Sequence, residues 1–192
     1  MSRHPRLVVP PAALVLLVGA AGSGKTTLAA RHFAPAEILS SDAYRAKVSG
    51  DPTDQTVTRE AFRRLHAELE RRMAAGTRTV VDATNVQPWA RRRLRDGARR
   101  HGREVVALVL ALPLEVCLAR NAARKGRPVP PSVIRDQDRA LQRSVLQLAA
   151  EGYASVVVMA EAAQVDDLEV VLAEGAERRA QRNVPKERHP AL

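Results

Sequence analysis

A glycine-rich loop, Gly19-Ala-Ala-Gly-Ser-Gly-Lys-Thr26, carries the residues best suited to chemistry in this sequence. Its spacing is G-x-x-x-x-G-K-[ST], in which the glycines let the backbone curl so that several N–H groups point inward. Those N–H groups, the N-terminus of the next helix and the Lys25 ammonium can hold a triphosphate, and the Thr26 hydroxyl is the expected Mg²⁺ ligand. The pattern therefore predicts a nucleoside triphosphate site. The residues expected to line it are Ala21, Gly22, Ser23, Gly24, Lys25, Thr26 and Thr27.

A second polar group, Ser40-Ser-Asp-Ala-Tyr-Arg45, follows the next short apolar segment. Ligands of parallel α/β sheets bind outside the carboxyl ends of the strands, so Asp42 should face the same crevice as the glycine-rich loop. A carboxylate there can accept a proton from an attacking hydroxyl, and Arg45, one helical turn later, can clamp a phosphate on the acceptor. In the competing interpretation, Asp42 is a helix N-cap and Arg45 is its partner in a surface ion pair.

Polar residues also follow the third apolar segment, which ends in Asp82. A carboxylate at the end of an apolar strand is placed like a Walker B acid, which contacts Mg²⁺ through water. Thr84 and Asn85 are expected either to contact the substrate or to cap the helix that begins near Pro88, and the two roles are compatible.

Two arginines four residues apart, Arg120 and Arg124, precede a segment rich in glycine and proline. At this spacing they share one face of a helix. Arginines on a mobile lid can close over the phosphates and neutralise the charge that develops in phosphoryl transfer, whereas the alternative is a solvated basic face. We predict such a lid at about residues 120–135.

The apolar periodicity predicts the elements that must position these groups. Apolar segments bounded by turn residues predict five strands, at 13–18, 37–40, 77–82, 105–112 and 154–159. Helical spacing predicts helices over 57–75, from Pro88 onward, over 114–124, across Ile134 to Leu148, and over 165–181. Strands that alternate with helices predict an α/β fold with a parallel sheet covered on both faces. We expect one domain over 1–192, with a flexible tail at 183–192.

The composition excludes a disordered chain, because 45% of the residues are hydrophobic, and a disulfide-stapled miniprotein, because there is one cysteine. The net charge is +10, from 31 Lys and Arg against 21 Asp and Glu. This excess indicates either a nucleic-acid partner or a general bias of the sequence toward arginine. The arginine-dense helix after Pro88 is the best candidate for a nucleic-acid track, although some of its arginines are expected to form a solvated face. Five aromatic residues do not favour extended base stacking.

The apolar run from Leu7 to Val18 superficially resembles a secretory signal. Pro10 and Pro11 interrupt this run, which is also too short to span a membrane. We therefore expect a cytoplasmic protein without membrane association, and the sequence identifies no protein partner.

In their order along the chain, these motifs resemble the polynucleotide 5′-hydroxyl kinase family. The similarity is to the kinase module of bacterial polynucleotide kinase-phosphatases in particular, with a relation to the bacteriophage end-healing kinase. It rests on Gly-x-x-Gly-Ser-Gly-Lys-Thr, Ser-x-Asp-x-x-Arg, Val-Asp-Ala-Thr-Asn and Arg-Asn-x-x-Arg, and covers about residues 12–160. It implies a P-loop kinase fold with a parallel five-stranded sheet, ATP as phosphate donor, Mg²⁺ as cofactor and a nucleic-acid 5′-OH end as acceptor.

The resemblance also implies roles for the matching residues. Lys25 and Thr26 would bind the β- and γ-phosphates and Mg²⁺. Asp42 would be the general base that activates the 5′-OH, and Arg45 would hold the phosphate on the 3′ side of the acceptor nucleoside. Substrate contacts would therefore involve Asp42 and Arg45, beside the Thr84 and Asn85 already considered.

Arg120 and Arg124 would contact the donor phosphates, which adds Arg124 to Lys25 and Asp42 as a catalytic residue. One motif departs from the phage-type pattern, in which the acid directly precedes Thr-Asn. Here Ala83 takes that place and Asp82 stands one residue earlier, so the resemblance assigns Asp82 no role.

Two other functions are compatible with the glycine-rich loop. One is a kinase for a small hydroxyl acceptor such as a nucleoside, an antibiotic or a sugar. The other is an ATP-hydrolysing switch, which the sequence favours least because it contains no clear arginine-finger and sensor arrangement. The sequence leaves open the choice between DNA and RNA, the preferred nucleotide donor and the oligomeric state.

Overall fold

The computed structural model of the chain describes residues 4–124 and 128–173. Its strands are β1 (Arg6–Val9), β2 (Leu14–Gly19), β3 (Ile38–Ser40), β4 (Thr79–Asp82), β5 (Val105–Leu110), β6 (Ser155–Met159) and β7 (Glu169–Leu172). Its α-helices are α1 (Lys25–His32), α2 (Ser41–Ser49), α3 (Thr58–Ala74), α4 (Pro88–Arg100), α5 (Leu114–Ala122), α6 (Pro131–Ser144) and α7 (Ala162–Asp166). Short 3₁₀ helices cover Pro35–Glu37 and Val145–Glu151.

Five parallel strands form the central sheet, in the order β3-β4-β2-β5-β6. Strand β2 lies in the middle and is buried along its whole length, since alternate side chains pack on opposite faces. Leu16 joins the core that includes α3 and α4, whereas Val15 and Leu17 join the core that includes α1 and α5. The predicted α/β fold with a five-stranded parallel sheet is thus confirmed.

The order of the strands creates a crevice at the carboxyl end of β2. The chain passes from β2 to β3 and then to β4 on one side of β2, and crosses afterwards to β5 on the other side. Helices that follow strands on opposite sides of β2 diverge at such a switch point, which leaves room for a ligand. The glycine-rich loop follows β2 directly and therefore lies at this point.

A second, two-stranded parallel sheet was not predicted from the sequence. Strand β1 pairs with β7, and Arg6 lies opposite Glu169 with an Nε–Oε2 distance of 3.2 Å. The helix predicted over 165–181 is wrong from residue 167 to residue 173, because α7 ends at Asp166 and β7 follows. Residues 174–192, which include the predicted tail, lie outside the described part of the chain. Among the described residues, none of the helices has the length and apolar character that crossing a membrane requires.

Two arginines of the arginine-dense helix α4, Arg91 and Arg95, are buried inside the protein. Arg91 is fully buried and donates to the carbonyl oxygens of Asn85 at 3.0 Å and Val86 at 2.9 Å. Its Nε and Nη2 also donate to the two carboxylate oxygens of Glu151, the Nε at 3.1 Å. The Tyr153 hydroxyl donates to the same carboxylate at 3.2 Å. A buried guanidinium is stable here because each charge has an opposite partner and further hydrogen bonds.

Three more arginines of α4 have partners within the chain. Arg95 is buried, with its Nη2 3.6 Å from Oε2 of Glu151 and its guanidinium 5.2 Å from the centre of the Tyr153 ring. Arg99 donates to the carbonyl oxygens of Glu151 and Gly152, and Arg100 pairs with Glu70. Four of the six arginines of this helix, Arg91, Arg95, Arg99 and Arg100, thus have partners within the protein, and Arg92 and Arg93 stay candidates for the predicted nucleic-acid track.

We predict that Arg91→Ala destabilises the protein by on the order of 3–5 kcal/mol, because it leaves Glu151 buried without its main partner. The matched control is Arg92→Ala, which removes the same group from the next, exposed position of α4 and should change the free energy of unfolding by less than about 0.5 kcal/mol. Denaturant unfolding measures both. Equal losses in the two variants would contradict the structural role of Arg91.

Candidate active site

The glycine-rich loop adopts a curled conformation that only glycine accommodates at two positions. Gly24, the N-cap of α1, has φ 100°, and Gly22 has φ 81°. A Cβ at Gly22 would also collide with the carbonyl oxygen of the buried Cys117 on α5. This geometry leaves the first N–H groups of α1 without helical acceptors, as an anion site requires.

Lys25 is folded into its own loop. Its ammonium donates to the Ala20 carbonyl oxygen at 2.7 Å and lies 3.3 Å from the Ser23 hydroxyl oxygen. Burial lowers the pKa of Lys25 to about 8, although the nearby carboxylates of Asp82 and Asp42 oppose this shift. A bound phosphate would supply the full counter-charge that these neutral oxygens do not.

Thr26, in the first turn of α1, is in direct contact with Asp82, the last residue of β4. The Thr26 hydroxyl donates to Oδ2 of Asp82 at 2.8 Å. Asp82 is buried, and burial raises the pKa of its carboxyl group. A hydroxyl beside a carboxylate is a hard oxygen donor set that suits Mg²⁺, and the cation would offset the cost of burying the carboxylate. The residues present therefore fit the cofactor that the motif implies.

Asp42, in the first turn of α2, lies between the side chains of two arginines. It pairs with Arg45, and Nη2 of Arg124 lies 3.8 Å from its Oδ2. The N-cap of α2 is Ser40, so the interpretation of Asp42 as N-cap is wrong. The Asp42 side chain keeps 44% of its surface exposed, which leaves the carboxylate open to an incoming group.

Arg45 is not the surface residue of the competing interpretation. Only 9% of its surface is exposed, and its Nε donates to the Pro52 carbonyl oxygen at 3.0 Å. The guanidinium is thus fixed from two sides, by Pro52 and by Asp42. A buried, fixed guanidinium beside an open carboxylate can orient that carboxylate and still present donors to an anion.

Arg120 lies on α5, but Arg124 follows the end of that helix at Ala122, so the prediction that the two share one helical face is wrong. Nη1 of Arg120 is 3.5 Å from the Ser23 carbonyl oxygen, and Arg124 reaches Asp42 as described. The predicted lid at 120–135 is only partly a connection between helices, because Arg120 belongs to α5 and residues 131–135 belong to α6. Residues 125–127 of this segment lie outside the described part of the chain. The Asn121 side chain makes two hydrogen bonds to the backbone of Val129. Its Nδ2 donates to the Val129 carbonyl oxygen at 2.9 Å, and its Oδ1 accepts the Val129 N–H at 3.0 Å.

Thr84 and Asn85 brace the strand that carries the loop. The Thr84 carbonyl oxygen accepts the Gly19 N–H at 2.9 Å, and Nδ2 of Asn85 donates to the Leu17 carbonyl oxygen at 2.8 Å. Neither residue caps the following helix, whose N-cap is Gln87. Their role in substrate binding stays a prediction.

Gln137 is a site residue that the sequence reasoning missed. Its Oε1 accepts the N–H of Ala21 at 2.8 Å, which joins α6 to the glycine-rich loop. Ala21 is one of the residues that the glycine-rich motif predicts to line the nucleotide site. The helical spacing of α6 indicates that Gln137 faces the protein, because it stands three residues after Ile134 and four before Leu141, which are both buried.

A family model described as an AAA domain, AAA_33, matches residues 14–146, and the chain belongs to this family. A search of curated proteins finds no match. The fold is also that of a solved gluconokinase.

Three similar solved structures illustrate the fold. The Pnkp1/Rnl/Hen1 RNA repair complex has 24% identity over 77% of this chain and 47% of that chain, with a TM-score of 0.62. The AvrRxo1-ORF1:AvrRxo1-ORF2 complex has 16% identity over 72% and 50%, with a TM-score of 0.57. A gluconokinase from Sinorhizobium meliloti 1021 has 20% identity over 83% and 90%, with a TM-score of 0.50. The chain spans about half the length of the first two.

We predict that ATP binding at pH 8 takes up about half a proton per site. The pKa of Lys25 is about 8 in the free protein, so about half the molecules carry a neutral lysine there, and the bound phosphates raise that pKa. Isothermal titration calorimetry in buffers of different ionisation enthalpy measures the uptake. Lys25→Arg is the control, because its guanidinium stays protonated and the uptake should vanish. Equal uptake in both proteins would contradict this account of Lys25.

We predict that Gln137→Ala weakens ATP binding about three- to tenfold, because the Ala21 N–H loses the acceptor that fixes the loop. Gln142→Ala is the matched control, since Gln142 is exposed on the same helix and does not contact the loop. Binding isotherms compare the variants with the wild-type protein. The positioning role would be refuted by equal dissociation constants for all three.

Proposed function

We propose that this member of the AAA_33 family is an ATP-dependent kinase that phosphorylates the 5′-OH end of a polynucleotide. One observation carries the proposal: an open carboxylate, Asp42, stands between Arg45 and Arg124 in the crevice that also holds Lys25 and the Thr26–Asp82 pair. The crevice thus combines a proton acceptor, cations for phosphates and a metal donor set, which are the parts that phosphoryl transfer needs.

The donor half of the site would bind ATP by exchange of partners. Phosphate oxygens replace the Ala20 carbonyl and the Ser23 hydroxyl as partners of the Lys25 ammonium, and the free N–H groups at the start of α1 bind the phosphate chain. Thr26 and Asp82 would hold Mg²⁺, which would supply positive charge to neutralise part of the phosphates' negative charge. Arg120, already over the loop, adds a further donor.

The acceptor half would supply the base. Asp42 takes the proton from the acceptor hydroxyl as that oxygen attacks the γ-phosphorus, while the bond to the β–γ bridging oxygen breaks and ADP leaves. Arg45 holds the carboxylate in position. Arg124 is near enough to Asp42 to move from it to the transferring phosphoryl group, where it neutralises charge in the transition state.

Three observations favour a polynucleotide as the acceptor. Arg45 places a guanidinium beside Asp42, the proposed general base, where a phosphate on the acceptor would lie. The net charge of +10 attracts a polyanion. The RNA repair complex among the similar structures contains, by its name, a protein of nucleic-acid repair.

A small hydroxyl acceptor is the second candidate function. The observation that favours it is the gluconokinase, which this chain matches over 83% of its own length and 90% of the other chain. An acceptor panel tests the proposal: 5′-OH DNA and RNA oligonucleotides, nucleosides and gluconate, each with labelled ATP at several salt concentrations. We expect label on the oligonucleotides and a rate that falls steeply with salt, because phosphate contacts release counterions. Label on a small acceptor alone would overturn the proposal, as would ATP hydrolysis that no acceptor changes.

We predict that Asp42→Asn lowers kcat for transfer by about 10²- to 10⁴-fold and leaves ATP affinity within about threefold, because only the proton acceptor is lost. Arg45→Ala should mainly raise KM for the acceptor. Asp167→Ala, which removes an exposed carboxylate far from the crevice, is the control and should keep wild-type kinetics. Steady-state kinetics and ATP titrations provide the test, and transfer at the wild-type rate by Asp42→Asn would remove Asp42 from the mechanism.

A further inference from the structure

The sole tryptophan of the chain, Trp89, is unusually exposed. It keeps 71% of its surface accessible, whereas Phe33 and Tyr44 are buried and Phe62 and Tyr153 pack partly against the core. An indole left in water forgoes the burial that normally stabilises it, yet its flat face remains free to stack on another ring. The exposure therefore needs an explanation at this place in the fold.

Trp89 stands near the carboxyl edge of the central sheet, where the crevice opens. It is the second residue of α4, which begins just after the segment that braces β2 through Thr84 and Asn85. That segment follows β4, and β4 pairs with β3, whose carboxyl end leads into Asp42. The indole thus lies at the carboxyl edge of the central sheet, the same edge at which the glycine-rich loop and Asp42 follow their strands.

Two arginines share the exposed face of α4 with this indole. Arg92 and Arg93 follow Trp89 by three and four residues, the spacing that places side chains on one face. Both are exposed, and within the described residues neither has an ion-pair partner, unlike the four anchored arginines of the same helix. Burial and the charge of Arg93 lower the pKa of His66 to about 4, so this neighbour is neutral. The exposed Asp96, one turn further along the same face, offsets one of the two positive charges and leaves the face with an excess of positive charge.

We propose that Trp89, Arg92 and Arg93 form an acceptor-strand surface, which binds the nucleotides that follow the 5′ end. The indole stacks on one base, and the two guanidinium groups bind backbone phosphates. A sugar could also stack on an indole, but it would give two unpaired arginines nothing to bind. A single stacked base agrees with the scarcity of aromatic residues, because five aromatic side chains are too few to stack on a long series of bases. The inference rests on the proposed function, since it concerns the same acceptor.

The single tryptophan makes binding directly measurable. Titration of the wild-type protein with a 5′-OH oligonucleotide, in the absence of ATP, should quench the intrinsic fluorescence and saturate. Arg92→Ala and Arg93→Ala should each raise the dissociation constant several-fold and reduce its salt dependence. Arg143→Ala, which removes an exposed arginine without a described partner from α6, is the control and should bind like the wild type. Quenching by gluconate but not by the oligonucleotide would overturn the inference.

Kinetics with two acceptors separates this inference from the function on which it rests. Trp89→Ala should raise KM for a 5′-OH hexanucleotide about tenfold and leave KM for a nucleoside 3′-monophosphate unchanged, because the short acceptor ends before the surface. Wild-type transfer to both acceptors with no such difference in Trp89→Ala would overturn the inference alone. No wild-type transfer to either acceptor would overturn the proposed function and the inference together.

Discussion

The hydrogen bond from Thr26 to Asp82 is the contact on which the rest of the site depends. It joins the first turn of α1 to the carboxyl end of β4, and it forms because β2 and β4 are adjacent and in parallel register, with Leu16 opposite Val81. A shift of one residue would point Asp82 to the other face of the sheet. The buried apolar strands therefore fix the distance between the glycine-rich loop and the Asp82 carboxylate.

Paired charges dominate the crevice. Lys25 is held by neutral loop oxygens, and Asp42 is held between Arg45 and Arg124. Lys25 and Arg45 are buried, and buried charges are tolerated only with partners, so both have partners before a ligand arrives. Binding of ATP and acceptor would then exchange one set of partners for another, with little rearrangement of the backbone. The same principle accounts for much of the positive charge elsewhere, since most arginines of α4 neutralise or bind groups of the protein itself.

The sequence predicted what local pattern determines, and failed where a distant partner decides. Continuous apolar segments predicted the strands of the central sheet, and glycine spacing predicted the loop. The segment Glu169–Leu172 is apolar enough for a helix or a strand, and its pairing with β1, far away in the chain, makes it a strand. Arg91 looks like its exposed neighbour Arg92 in sequence, because its partner Glu151 stands 60 residues later. Gln137 meets Ala21 across 116 residues, and only its place on a buried helical face hints at this contact.

The central claim is that two carboxylates divide the work, with Asp82 serving the metal and Asp42 serving the proton. A magnesium titration of transfer activity tests it most directly, with wild type, Asp82→Asn and Asp42→Asn compared under saturating ATP and acceptor. We expect Asp82→Asn to raise the Mg²⁺ concentration for half-maximal rate, and Asp42→Asn to lower the maximal rate and leave that concentration unchanged. A shifted magnesium midpoint in Asp42→Asn, with an unchanged one in Asp82→Asn, would contradict the assignment.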